Sequence, residues 1–468
     1  MAGIRYPDQT RFAFGSGVTC VTTVAGAVLL NPPRSEKLAG LTADQLHALE
    51  KLNLGPATVS EISTPAGRND VVTLIDRLTV GGWLTVAVRD GGRDLYSILP
   101  CRQPAARPAP LRTDSAAMPP TLSKFAVLHR DSEGLVLEHP LSWCDVRIHD
   151  PDLLVLLDRP ERDNEDVPAA ASQFITDLHW CGMLLPLGAE DDEFDMVSWS
   201  AHDLWFHRRS TLGERTITWD HFGPTMWAKG RFPRPPARKT NYPGEPIALL
   251  APDLTTKRTQ DPTLTAVLED RVSTRTFDDT HPITVEQLSE LLYRTARTRR
   301  TQPQPVTDDE ELISRPYPSG GGAYELELYP VVRNVAGLEP GMYHYDSFEH
   351  MLRPVAPAES RAVSQLLKPA SATLTRGAEP QVLIVMAARS GRIMWTYEQI
   401  SYATILKDVG ALMQTIYLAA TAMGLGACAQ GFGDTAAFTA ATGVGELQEC
   451  SVGSIIVGSP VPLLRECK

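Results

Sequence analysis

The apolar positions of this chain change period along its length, and each change marks an element. Residues 11 to 30 alternate β-branched and small residues around Ala25-Gly26, the pattern of a hairpin. Thr42 then stands as an N-cap before Leu46, Leu49 and Leu52 at helical spacing. A second helix carries Val71, Leu74, Ile75 and Leu78 on one face, stops at Gly81-Gly82, and yields to a strand from Trp83 to Val88. The plan then repeats. The run from Leu74 to Leu84 matches that from Phe174 to Leu184, with leucine and glycine at the same offsets, as a duplicated helix, C′ glycine and strand require. Upstream, Arg11-Phe12-Ala13-Phe14 is echoed by Lys124-Phe125-Ala126-Val127.

The second half is patterned differently. Thr284-Val285-Glu286-Gln287 is a capping box, and Leu288, Leu291, Leu292 and Ala296 form the buried face of the helix it opens. Tyr329 to Arg333 and Gly341 to Tyr345 alternate like strands. The run from Gln381 to Ala388 is almost wholly apolar, as expected of a central strand covered on both faces. A long helix from Ile405 to Met423 has apolar or small residues at Leu412, Ile416, Ala419, Ala420 and Met423, suited to close packing in a core or across a subunit interface. Gly424-Leu425-Gly426 ends it, and Ser454 to Pro460 reads as a last strand.

Composition groups these elements into domains. At 468 residues the chain exceeds one ordinary domain. Residues 103–120 are rich in proline and alanine and read as a linker. Residues 225–254 include the one basic run, Lys229 to Lys239, whose three prolines suggest a solvated, semi-rigid connector. The expected organisation is α+β, with winged-helix-like units at 1–102 and 121–224 and a C-terminal domain with a central sheet flanked by helices at 255–468.

Charge and cysteine usage narrow the function. A net charge of −12, with acidic clusters around residues 150–166 and 190–195, argues against nucleic acid and anionic membrane surfaces. The first half is then a peptide-docking surface, by β-augmentation for example, or a purely structural module. Seven scattered cysteines without a C-x-x-C pair fit a reducing cytoplasm and give no metal site. No signal peptide or spanning segment is evident, so the expectation is a soluble, cytoplasmic protein.

Two stretches carry candidate chemistry. In Arg271-Val272-Ser273-Thr274-Arg275, two arginines and a serine alternate, so all three can converge on one phosphate. Arg315-Pro316-Tyr317-Pro318-Ser319-Gly320-Gly321-Gly322 is a stiffened turn whose bare backbone N–H groups can approach a flat or anionic ligand.

Together with Glu327-Leu328-Tyr329, Gly341-Met342-Tyr343-His344-Tyr345, Leu425-Gly426-Ala427-Cys428-Ala429 and Ile456-Val457-Gly458-Ser459-Pro460, these motifs resemble the nitroreductase superfamily of flavoproteins. Within it they are most similar to SagB-type dehydrogenases, which oxidise azolines to azoles in ribosomally made peptides. The likeness covers residues 255 to 465. It implies FMN bound at a homodimer interface, a modified precursor peptide as substrate, and a possible complex with a cyclodehydratase. Arg271, Ser273, Arg275 and Arg465 would hold the phosphate and ribityl chain, Pro318, Ser319 and Gly320 would lie against the flavin, and Leu425 and Gly426 would sit near its reactive edge. Gln414 is a lesser candidate.

The resemblance breaks at one point. Relatives carry a Lys-Tyr pair taken to handle the proton, whereas this chain has Thr396-Tyr397, and a neutral threonine is no base near pH 7. Tyr397 alone or with Tyr402 or Glu398, Lys407 from further along the helix, or a different target ring are the open assignments. An NAD(P)H-dependent nitro- or quinone-reductase and a peptide-docking scaffold are the alternative functions.

Overall fold

The computed structural model describes residues 6–23, 26–106, 108, 120–158, 169–213, 215, 219–303 and 311–461. The chain is α+β and divides into two compact units, Met1–Thr218 and Trp219–Lys468. No helix among the described residues is long and apolar enough to cross a membrane.

In the first unit, strands β1 (Arg11–Phe14), β2 (Thr19–Thr23), β3 (Gly26–Asn31) and β4 (Arg34–Ala39) precede helix α1 (Ala43–Leu54). Strand β5 (Ala57–Thr58), helix α2 (Arg68–Val80) and the hairpin β6 (Leu84–Asp90) and β7 (Arg93–Pro100) follow. Next come β8 (Pro120–Leu122), β9 (Val127–Arg130), β10 (Leu135–Glu138), β11 (Cys144–Ile148), α3 (Ala169–Trp180) and β12 (Leu184–Pro186). The hairpin expected over residues 11–30 is β2 with β3, while β1 leaves it to pair with β6.

The repeated helix ends have the same geometry. Gly82 and Gly182 adopt φ of 68° and 71°. Trp83 N–H donates to Leu78 O and Met183 N–H to Leu178 O, each at 2.9 Å, closing each helix in the manner of a C′ glycine. The upstream echo fails: β1 meets β6, but its counterpart meeting β12 is β8, and Lys124 to Ala126 form a turn. The two copies are also not separate bodies on a linker. Strand β7 pairs with β11 from Tyr96↔Ile148 to Pro100↔Cys144, giving one seven-stranded sheet in the order β5-β1-β6-β7-β11-β10-β9. Of the expected linker, residues 107 and 109–119 lie outside the described residues.

The second unit is built on a seven-stranded sheet. Its strands are β13 (Ile247–Ala248), β14 (Leu326–Val332), β15 (Gly341–Asp346), β16 (Met351–Pro357), β17 (Val382–Ala388), β18 (Gly426–Gln430) and β19 (Cys450–Gly458). Their order is β13-β16-β15-β14-β17-β19-β18. The apolar run near 381–388 is the buried strand β17, and its side chains alternate between two cores. Val382, Ile384 and Met386 meet helices α5 (Val285–Ala296) and α8 (Ser401–Ala422), on one face. Leu383, Val385 and Ala387 meet α6 (Arg361–Ser371) and α9 (Thr435–Thr442) on the other. A short helix α4 (Leu264–Asp270) precedes this set, and α7 (Ser390–Met394) leads into the Tyr397 loop.

The stretch read as a solvated connector belongs to this second unit. Thr225 and Ala237 are fully buried, and Lys239 pairs with Glu449. Proline carbonyls with no competing N–H donors of their own are taken up by arginines: Arg392 donates to Pro235 O at 2.9 Å, and Arg389 to Pro236 O at 2.8 Å and Ala237 O at 3.0 Å.

Candidate active site

The glycine turn is shaped by its own neighbours. Gly320–Gly322 form one turn of 3₁₀ helix in which Gly321 and Gly322 adopt φ of 58° and 68°. A Cβ at Gly320 would fall 2.2 Å from the Thr404 methyl, and one at Gly321 would fall 2.8 Å from the Tyr397 hydroxyl. Glycine is therefore required here by packing as well as by backbone conformation. The expectation of free N–H groups is corrected in part: Gly320 N–H donates to Asp408 Oδ2 at 2.9 Å, and Gly322 N–H to Ser319 O at 3.1 Å. Ser319 Oγ accepts from Tyr324 N–H at 2.9 Å and donates to Glu325 Oε2 at 3.3 Å, while Pro318 is exposed. Arg392 Nε closes the far side on Ala323 O at 2.8 Å.

Two buried carboxylates back this turn. Burial first, and then the charge of Asp408, push Glu325 up from the usual carboxylate range to about 7. Burial likewise raises Asp408. Glu325 Oε1 is buried without a hydrogen-bond partner among the described residues. Two residues on, Glu327 shows the opposite outcome: burial opposes its charge, but the His344 bond at 3.0 Å and the nearby charges of His344, Arg315 and Arg389 hold it down at about 2. The contrast comes from the neighbour, an acid in one case and cations in the other.

The arginine strip lies along β18. Ser273 bridges to Ala427, and Thr274 N–H donates to Ala427 O at 2.8 Å. Ser273 Oγ and Tyr417 OH are 3.0 Å apart, Ala429 N–H donates to Tyr417 OH at 2.7 Å, and the Arg271 guanidinium sits 5.2 Å over the Tyr417 ring. Among the described residues neither Arg271 nor Arg275 pairs with a carboxylate. Two unpaired guanidiniums and a hydroxyl on one extended segment suit a phosphate. Leu425 departs from expectation: its side chain is in the core, and the space a side chain would need at Gly426 is filled by Thr274 at 2.7 Å, so only backbone is available to a ligand there. Gln414 is exposed one turn before Tyr417, and Arg465 lies outside the described residues.

Strip and turn share helix α8. Asp408 at the turn and Tyr417 at the strip are nine positions apart on it. At about 100° and 1.5 Å per residue they face roughly opposite sides and are about 14 Å apart along the axis. Of the proton-handling candidates, only Tyr397 reaches the turn. Tyr402 is exposed, and its hydroxyl is raised by partial burial and by Cys450 and Glu446, which is the wrong direction for a base. Lys407 is exposed and makes no hydrogen bond or ion pair among the described residues. The sequence reading missed Glu325, Asp408 and Tyr417. Asp408 had one signal, an acid on the flank of an otherwise apolar helix face.

Residues 268–459 match the Nitroreductase family, and residues 120–216 match cyanobactin oxidase ThcOx. The chain thus carries a nitroreductase domain behind a segment of cyanobactin-oxidase type, a combination consistent with the SagB-type dehydrogenases. It is 28% identical over 188 residues to a nitroreductase-type protein of Methanocaldococcus jannaschii, covering 40% of this chain and 85% of that one. It is 32% identical over 119 residues to the trifolitoxin-processing protein TfxB of Rhizobium leguminosarum, covering 25% of this chain and 31% of the relative. The microcin B17-processing protein McbC of Escherichia coli is 26% identical over 121 residues, 25% of this chain and 44% of its own. The chain thus spans less than half the length of both processing proteins. A chain of the E. coli microcin synthetase McbBCD complex with truncated pro-MccB17 bound overlays 56% of this chain and 93% of its own, at 18% identity and a TM-score of 0.35.

Proposed function

We propose that this chain is an FMN-dependent dehydrogenase that converts azoline rings to azoles in a ribosomally made peptide. The observation that carries the reading is the Tyr397 hydroxyl set against Gly321 on a turn held rigid by Asp408 and Glu325. Similarity to two proteins named for peptide processing supports a peptide substrate.

The residues present fit FMN. Arg271, Arg275 and Ser273 offer a phosphate two guanidiniums and a hydroxyl that no carboxylate occupies. When bound, FMN supplies a two-electron acceptor. Aromatising an azoline removes one proton and one hydride from adjacent atoms, and Tyr397 is the group assigned to the proton. The Glu325–Asp408 pair keeps Gly320 in place, and with it the face presented to the ring being oxidised.

Because strip and turn face opposite sides of α8, the complete site is assigned to a homodimer in which the strip of one copy meets the turn of the other. Exposed Leu264, Leu268, Val272 and Leu406, on α4, the strip and α8, supply apolar surface for that contact. Mixed dimers test this directly. Arg271→Ala and Tyr397→Phe subunits, each inactive or slow alone, should regain one good site when refolded together; no recovery would place strip and turn in the same chain's site.

The purified protein should be yellow, and a thiazoline peptide should lose two hydrogens by mass. A colourless protein that FMN does not reconstitute ends the proposal. The similarity spanning 85% of the archaeal nitroreductase-type protein favours a second reading, reduction of quinones or nitro compounds with NAD(P)H. Rapid NADPH oxidation with a quinone, and none of the peptide chemistry, would select it.

A further inference from the structure

The Tyr397 loop is held from outside by a segment that the sequence reads as a connector. Glu398 N–H donates to Phe222 O at 2.9 Å, and Thr225 N–H to Thr396 O at 3.4 Å. Thr225, fully buried, donates its hydroxyl to Met394 O at 2.8 Å, at the end of α7 where the loop begins. Gly223, with φ of 112°, brings the segment so close that a Cβ there would lie 3.1 Å from Tyr397 Cα and 3.2 Å from Glu398 N. Further along, Arg234 extends its guanidinium to within 3.5 Å of Thr396 Oγ1, and Arg392 and Arg389 anchor the carbonyls of residues 235–237. The loop is thus bracketed at residues 394, 396 and 398. On its other side Thr396 Cγ2 and Tyr397 OH lie 3.4 and 2.8 Å from the position a Cβ on Gly321 would take.

We propose that residues 222–237 are a strap belonging to the catalytic apparatus, that Thr225 is the positioning residue fixing the Tyr397 hydroxyl against the glycine turn, and that Arg234 brings a positive charge beside Thr396. The catalytic part of this proposal rests on the reading of Tyr397 as the proton-handling group; the mechanical part does not. A tyrosine must stand within hydrogen-bond reach of the proton it takes, and loops alone hold such geometry poorly. Three bracketing contacts on one side and the glycine turn on the other confine the loop to one position. The arginine brings a cation to a loop whose one acidic side chain is Glu398, and a cation favours charge developing on a nearby hydroxyl.

The test uses the full chain loaded with FMN. Thr225→Val keeps shape and volume and removes only the hydroxyl, while Thr225→Ser restores it. Turnover of a thiazoline peptide should fall by about tenfold or more in Thr225→Val with KM and flavin content unchanged, and should recover to within about twofold in Thr225→Ser. Arg234→Gln, at a partly exposed position that folding tolerates, should also lower kcat, and Arg234→Lys should restore part of it. Amide hydrogen exchange supplies the readout that needs no substrate. In Thr225→Val, residues 395–399 should exchange at least about tenfold faster while β14 and β17 are unchanged. Wild-type exchange in that loop together with wild-type kcat in both Thr225→Val and Arg234→Gln would overturn the proposal. Faster loop exchange in a protein that oxidises no azoline would retain the strap and discard the functional reading.

Discussion

The glycine turn and the arginine strip are the two halves of the candidate site, and they are built on opposite principles. At the turn, the hydrogen bonds run within the protein: Gly320 N–H on Asp408, Ser319 on Glu325, Arg392 on Ala323. At the strip, Arg271 and Arg275 are left without a carboxylate among the described residues. The contacts of the turn are internal, whereas the strip leaves two guanidiniums that an anion would neutralise. A ligand with an anionic tail and a flat head needs both, a neutralising grip at one end and a rigid wall at the other.

The largest expected effect attacks the strip. Arg271→Ala with Arg275→Ala should weaken FMN binding by about 100-fold or more, near 2.7 kcal/mol, and leave the melting temperature of the flavin-free protein unchanged. Equilibrium titration with FMN measures it, and undiminished affinity would show that the strip is not the anion grip. Next in size, Tyr397→Phe should slow azoline oxidation by about 30-fold with flavin colour retained; turnover at the wild-type rate removes Tyr397 from the mechanism.

Two smaller effects belong to the turn alone. Gly321→Ala places a side chain at φ 58° and against the Tyr397 hydroxyl, and should cost about 1–2 kcal/mol in urea unfolding without changing FMN affinity at the strip. Glu325 carries a pH signature. Its folded value of about 7 lies above the ordinary 4.5, so the folded protein retains a proton that the unfolded chain has released. That contribution is full below about pH 4.5 and is lost as pH rises through about 7. Glu325→Gln should therefore flatten the fall in melting temperature between pH 5 and 8 and leave the variant a few degrees more stable at pH 8. Parallel pH profiles for the two proteins would mean that Glu325 does not keep its proton in the folded state over that range.

Much of the architecture was legible from local pattern. The N-cap at Thr42 and the capping box at Thr284 close as their spacing requires, with Gln45 N–H on Thr42 Oγ1 and Gln287 N–H on Thr284 Oγ1, both at 3.3 Å. The buried faces of α2 and α5 follow from their period of 3.6, and the strand at 382–388 from its unbroken apolar run. Within the site, the alternation of Arg271, Ser273 and Arg275 was visible for the same reason: its information is confined to five neighbouring residues. The pairing of β7 with β11 was not, because a strand's partner leaves no trace in its own alternation. Nor was the strap, since proline content announces stiffness and says nothing about what the free carbonyls will accept.

The sequence by itself determined which segments are helix or strand, where they stop, and which short stretches hold chemistry suited to a phosphate or a tight turn. Those are properties of neighbouring residues, encoded by spacing and backbone freedom. Only the tertiary structure decided that Glu325 meets Asp408, that residues 222–237 bind the Tyr397 loop, and that the strip and turn diverge around α8. Each is a meeting of groups far apart in the chain, where burial and an unlike or like neighbour set the charge, and no local pattern carries that information.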